Sequence, residues 1–236
     1  MYFKLIVFDW DGTLMDSEAR IVDCMQGAVN DVGLDPVSSQ RVRDVIGLGL
    51  LEAVRTLFPE QEPHVHLQIR DRYRQRYLGA EGKPAPLFDG AEAVVRELLA
   101  RDYMLAVATG KGRQGLDKAM KSTGMDHYFH ATRCADETFS KPHPDMLLQI
   151  MDEMGALPGE TLMVGDTEYD MLLAANAGTH ALAVGYGVHE RARLTRHAVL
   201  GCIDDVREMP HWLTAMESRP SPDKSQEDIV PAIGLV

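Results

Sequence analysis

Apolar positions along this chain change period at two points. Residues 4–8 (Lys4, Leu5, Ile6, Val7, Phe8) form a short, mainly apolar run that stops at Asp9, the pattern of a buried strand bounded by a turn. From Met15 to about Phe88 the spacing turns helical. Ile21, Cys24, Met25, Ala28 and Val29 recur on one face; Val42, Val45 and Ile46 follow, then Leu50, Leu51, Val54 and Leu57, and finally Val65, Ile69, Tyr73 and Tyr77 at i, i+4. Pro84, Pro86 and the Asp89-Gly90 pair punctuate the end of this block. Beyond it strand-like and helix-like stretches alternate. Strands are predicted at 103–108, 128–132, 161–164, 180–184 and 198–202, and helices at 112–123, 144–154, 169–177 and 204–216. Repeated β-α units imply a parallel sheet covered by helices on both faces. The predicted fold class is therefore α/β, with a Rossmann-like parallel-sheet core (1–14 and 89–216) interrupted after its first strand by a helical insert (15–88). Residues 217–236 are rich in Pro, Ser and charge and read as a flexible tail.

Composition narrows the partners. The 236 residues carry a formal net charge of −12, so the surface repels nucleic acid and anionic lipid. Any phosphate site has to be electropositive locally, against the overall field. Cys24, Cys134 and Cys202 are few, odd in number and widely spaced; they suggest neither a disulfide framework nor a metal site, and favour a reducing cytoplasm. The N-terminus enters a strand almost at once, which leaves no room for a signal peptide. No apolar run approaches the ~18 residues that span a bilayer.

Candidate chemistry concentrates at the ends of predicted strands. Asp9-Trp10-Asp11-Gly12-Thr13 follows the first. Two carboxylates at a strand tip repel unless a cation is shared between them, and Mg²⁺ suits a few hard oxygens with positions kept for water and phosphate; an ordinary Asp-Gly turn is the plain alternative. Thr109-Gly110-Lys111 ends another strand, Ser140-Lys141-Pro142 precedes a helix, and Gly165-Asp166-Thr167-Glu168-Tyr169-Asp170 follows a third strand. Taken singly, Thr-Gly reads as a strand-to-helix turn, Lys-Pro as a solvated loop, and Asp166 and Asp170 as helix caps.

Together, in this order, the four motifs resemble those of the haloacid dehalogenase superfamily, in the subfamily with a helical cap after motif one that includes phosphoglycolate phosphatases. The resemblance covers roughly residues 1–216. It implies Asp9 as nucleophile, forming an aspartyl-phosphate, and Asp11 as general acid and then base, with its backbone carbonyl on the metal. It implies Thr109 and the Gly110 backbone as phosphate donors, Lys141 as the cation that offsets the phosphoryl charge, Asp166 as a metal ligand, and Asp170 as the acid that orients the metal shell or Lys141. The family more often has Asn at the position of Gly110. Mg²⁺ is the implied cofactor and a small phosphate ester the implied partner.

In the cap, Gly47 and Gly49 let the backbone approach a ligand, with a helix-helix turn as the other reading. Arg43 and Arg55 are candidates to meet a second anionic group or are surface charges. The arginines of 70–76 read as a solvated or salt-bridged helix, and His64 and His66 as loop residues. His143 and Asp145 read as helix-entry residues. The function predicted is a Mg²⁺-dependent phosphatase of a small, phosphoglycolate-like monoester. Alternatives are a phosphomutase of the β-phosphoglucomutase kind and a non-catalytic protein on the same fold. The presence of Asp11 argues against dehalogenation. Phosphonate hydrolysis would need a cap lysine, and Lys83 near the hinge is the sole lysine of the insert.

Overall fold

A computed structural model describes residues 3–79 and 85–218; Lys83, Pro84 and residues 219–236 lie outside the described residues. β1 (Leu5–Phe8) leads into four helices, α1 (Glu18–Asp31), α2 (Ser39–Arg43), α3 (Leu50–Leu57) and α4 (Pro63–Gly79). The alternating part follows: α5 (Ala91–Ala100), β2 (Met104–Thr109), α6 (Arg113–Thr123), β3 (Ala131–Cys134), α7 (Asp145–Met154), β4 (Thr161–Gly165), α8 (Glu168–Ala177), β5 (His180–Val184), α9 (Arg191–Leu194), β6 (Gly201–Ile203) and α10 (Met209–Glu217). The six strands form one parallel sheet in the order β3-β2-β1-β4-β5-β6.

Period-two alternation within apolar strands buries both faces of this sheet. Ile6, Phe8, Leu105, Val107 and Val164 face a core that includes α5, α6 and α10. Leu5, Val7, Ala106, Ala108 and Met163 face the opposite core, closed by α7 and α8. The small Ala residues on that second face leave room for the Met and Leu side chains of α7 and α8. A third core joins α1 to α4 through Met25, Val42, Val54, Leu57 and Ile69, the stripes expected from their helical spacing.

Chain order reverses between β1 and β4, whose neighbours run outward in opposite directions. This is the topological switch point, where open α/β sheets form a crevice outside the strand carboxyl ends. The chain leaves and re-enters the sheet side by side there: Met15 bridges Leu87 in antiparallel fashion, Asp16 N–H donates to Pro86 O at 2.9 Å and Phe88 N–H to Leu14 O at 3.0 Å.

Several elements differ from the expectation. α5 was not predicted, although Val94, Val95 and Leu98 are its buried stripe; Asp89-Gly90, read as the end of a block, is in fact its start, with Gly90 as N-cap at φ 83°. The third strand lies at Ala131–Cys134, not 128–132. Phe129 packs from a loop instead, edge-on to Phe8 and Trp10 at 6.4 and 6.3 Å. His64 and His66 sit on α4, not in a loop, and buried His66 pairs with Phe58 O at 2.7 Å. The last predicted helix begins as a 3-10 turn at Val206–Glu208, capped by Asp205, before α10. Glu217, expected in the tail, is the final residue of α10 and accepts a hydrogen bond from Tyr103.

Candidate active site

The carboxyl ends of β1, β2 and β4 converge. Phe8 is in register with both Val107 and Val164, so the residues that follow these strands emerge at one level. Asp9 is fixed by its own N–H, which donates to Val164 O at 2.9 Å. Its side chain is buried to 1% exposure. Lys141 reaches Asp9 Oδ1 at 2.9 Å, as an ion pair outside hydrogen-bond alignment, and donates to Asp170 Oδ1 at 2.6 Å. Asp170 Oδ2 accepts from Thr167 N and Oγ1 at 3.0 and 2.8 Å. Asp170 thus accepts from the N-terminus of α8 with one oxygen and from Lys141 with the other. Asp166, fully buried, accepts from Thr13 Oγ1 at 2.8 Å and from Val188 N at 2.8 Å.

Asp11 points to the other side of Asp9, toward the helical block. Its Oδ1 accepts from Ser17 Oγ at 2.5 Å, and Lys111 donates to Oδ1 and Oδ2 at 2.7 and 2.8 Å. Lys111 also donates to the Tyr77 hydroxyl of α4 at 2.7 Å. Thr109 is fully buried and accepts from Lys111 N at 3.2 Å.

The turn between α2 and α3 closes directly on this floor. A Cβ built on Gly110 would stand 2.5 Å from Leu48 O and 2.6 Å from Gly47 O, so only glycine lets the turn lie against the end of β2. Gly47 itself has φ 102°, which favours glycine. Gly49 N donates to Ser140 Oγ at 2.7 Å. Arg43 is not among the residues lining the cavity above; it pairs with Glu18 at 2.5 Å, partly exposed. Arg55 lies near Glu52 at 3.8 Å on the surface. Of the four arginines of α4, Arg70 and Arg76 form ion pairs with Asp71 and Asp31, Arg72 donates to Gln75, and Arg74 lines the cavity mouth. His143 and Asp145 stand at the entry to α7, where Asp145 N donates to His143 Nδ1 at 3.3 Å.

Lys111, Tyr77, Ser17 and Thr13 have polar roles that sequence reasoning did not assign. Lys111 lies within a quoted motif, and a lysine straight after Thr-Gly at a strand end was the available signal. Tyr77 was legible only as part of an apolar stripe.

Electrostatics point to a cation. Four carboxylates (Asp9, Asp11, Asp166, Asp170) meet two ammoniums (Lys111, Lys141), leaving two negative charges uncompensated in a buried place. Burial, opposed by Lys141 and reinforced by Asp170, pushes the Asp9 carboxyl up to about 7. Burial, then the charge of Asp9, raises Asp166 as well. Lys141 is held charged by Asp170 and Asp9 despite its own burial. Oxygens of Asp9, Asp166 and Asp170 lie within 4.8 Å of one another, and Asp9 Oδ2 is buried without a hydrogen-bond partner. A buried carboxylate oxygen left unpaired is costly, and an all-oxygen donor set suits a hard divalent ion. The residues fit Mg²⁺.

Above this floor is a cavity of about 210 Å³. Its walls come from α1 to α4 and the start of α6. No helix among the described residues is long and apolar enough to cross a membrane.

The family profile for haloacid dehalogenase-like hydrolases matches residues 6–184. "Probable phosphatase IndB" of Dickeya dadantii is 31% identical over 225 residues, 92% of this chain and 97% of that protein. The phosphoglycolate phosphatase of Vibrio cholerae is 31% identical over 193 residues, 78% of this chain and 85% of its own length. Among solved structures, a haloacid dehalogenase-like hydrolase from Bacteroides fragilis superposes with a TM-score of 0.82 at 22% identity, over 88% of this chain and 99% of that one, which is a likeness of fold.

Proposed function

The chain belongs to the haloacid dehalogenase-like hydrolase family, and from that premise we propose that it is a Mg²⁺-dependent phosphatase acting on a small phosphomonoester through an aspartyl-phosphate on Asp9. One observation carries the reading above the others: Asp9 Oδ2 is buried and unpartnered at the switch point, beside a lysine ammonium. A carboxylate so held is ready to share a cation and to meet phosphorus.

Asp9, the Asp11 backbone carbonyl and Asp166 would hold Mg²⁺, which supplies charge neutralisation to the phosphoryl oxygens. A carboxylate oxygen of Asp9 attacks phosphorus as the ester P–O bond breaks, and Asp11 gives its proton to the leaving oxygen. Water then attacks the aspartyl-phosphate, Asp11 takes a proton from it, and the bond from Asp9 to phosphorus breaks. Lys141 offsets the phosphoryl charge throughout. Thr109 and the Gly110 N–H donate to phosphoryl oxygens. Asp170 keeps Lys141 in place, and Lys111 with Ser17 orients Asp11. Helices α1 to α4 (within residues 15–88) act as the cap, excluding bulk water and opening for release. Cysteines that are few, odd in number and widely spaced favour a cytoplasmic setting.

The test is phosphate release from a panel of phosphomonoesters, with 2-phosphoglycolate included because of the Vibrio cholerae relative's name. Release that requires Mg²⁺ and disappears in Asp9→Asn supports the reading. Release by Asp9→Asn at the wild-type rate removes Asp9 as nucleophile.

A further inference from the structure

The cavity above Asp9 is built for something other than a second carboxylate. Its walls present Ile21, Leu48, Leu50, Leu78 and the rings of Tyr73 and Tyr77. The two rings stack on one another at 5.6 Å with planes 16° apart, and the Arg20 and Lys111 cations lie over the Tyr77 ring at 4.9 and 4.4 Å from its centroid, so the pair offers its edges and the remaining Tyr73 surface to the cavity. Among the described residues, the cations on its lining are Lys111 and Arg74. Lys111 is already committed, with its donors on both oxygens of Asp11 and on Tyr77. Arg74 is exposed at the mouth. Asp136 also lines the cavity and would repel an acid there. The amide that the family more often offers at position 110 is absent, and the Gly47–Leu48 carbonyls occupy the space its side chain would need.

A carboxylate two bonds from the ester oxygen would thus leave water for apolar walls, an engaged ammonium and a like charge. Taking a polar group from water without a new partner is unfavourable, and taking an ion more so. An apolar ring in the same place gains from every wall contact and can pack edge-to-face against the tyrosine pair. Volume agrees: an apolar cavity of about 150 Å³ is enough for benzene, against the 210 Å³ available for ring and phosphate here.

We infer that the preferred substrate is a phosphomonoester whose organic part is an uncharged apolar ring, seated between the tyrosine pair of α4 and the aliphatic wall of α1 and α3. This rests on the phosphatase reading and deepens it.

The test compares benzyl phosphate with 2-phosphoglycolate and glycerol 3-phosphate in the presence of Mg²⁺. All three release an alkyl alcohol, so leaving-group chemistry does not favour the ring. The expected result is a kcat/KM for benzyl phosphate at least about tenfold above the other two, the scale of discrimination that apolar pockets reach. Leu50→Gln, on the half-buried wall, should raise KM for benzyl phosphate several-fold with kcat held, and leave KM for 2-phosphoglycolate unmoved; a general loss of structure would move both. Preference for 2-phosphoglycolate or glycerol 3-phosphate overturns the inference and leaves the phosphatase reading standing. Should none of the three turn over, calorimetric binding of the same compounds to Asp9→Asn protein decides the point alone. Tighter binding of benzyl phosphate upholds the ring site, and equal or weaker binding overturns it.

Discussion

Asp9 answers two opposed demands. In the proposed mechanism it must be ionised to attack phosphorus, yet it is buried among other acids, and burial holds its carboxyl up to about 7. Lys141 reconciles them by pairing with Asp9 and Asp170 at once. Removing one partner from a buried ion cluster typically costs roughly 3–5 kcal/mol, so Lys141→Met should lower the unfolding free energy by about that much, seen as a lower urea midpoint at an unchanged slope. Mg²⁺ should recover part of the loss; an unchanged midpoint would mean that the acids are neutralised in some other way. The acids and Lys141 were legible because each follows a predicted strand or precedes a predicted helix, and strand ends meet at a switch point. Lys111 and Tyr77 were not, since Lys111 lies 100 residues from Asp11 and 34 from Tyr77, and local pattern carries no signal over that distance. Arg43 looked available for an anion, but it pairs with Glu18 of α1, a partner that local sequence does not reveal.

At the scale of elements, the α2–α3 turn and the end of β2 are shaped to each other. Gly110→Asn restores the residue more usual in the family but drives its Cβ into the Gly47 and Leu48 carbonyls. The turn has to lift. The expected outcome is a KM raised about tenfold or more, with stability lowered by roughly 1–3 kcal/mol as for other overpacking changes. An unchanged KM would show that the turn plays no part in binding. The same scale shows where pattern reading falls short. Residues 128–132 have the apolarity of a strand, but Phe129 spends it on Phe8 and Trp10 from a loop. Hydropathy reports burial and does not say whether the backbone pairs. Likewise, a glycine that ends one block and one that starts α5 look identical in sequence.

For the whole molecule, charge and metal are linked. The folded carboxyl of Asp9 sits above its ordinary value of 3.8. Its contribution to stability is therefore full below about pH 4 and is lost as pH rises through about 7 in metal-free protein. Mg²⁺ needs the ionised form, so it restores what is lost only where the proton has left. At Mg²⁺ one hundred times its Kd the gain is about 2.7 kcal/mol. The melting temperature should thus rise with Mg²⁺ at pH 8 and respond much less at pH 5, and Asp9→Asn should shrink the response at pH 8. An equal response at both pH values would exclude Asp9 as a ligand.

In the proposed mechanism Asp9 carries the phosphoryl group between substrate and water. Acid-quenching a reaction with radiolabelled phosphomonoester and Mg²⁺, then mapping the labelled peptide, tests it most directly. Hydroxylamine-labile label is expected on the peptide containing Asp9 and absent from Asp9→Asn. Phosphate release with no label on that peptide, or label on another residue, would contradict it.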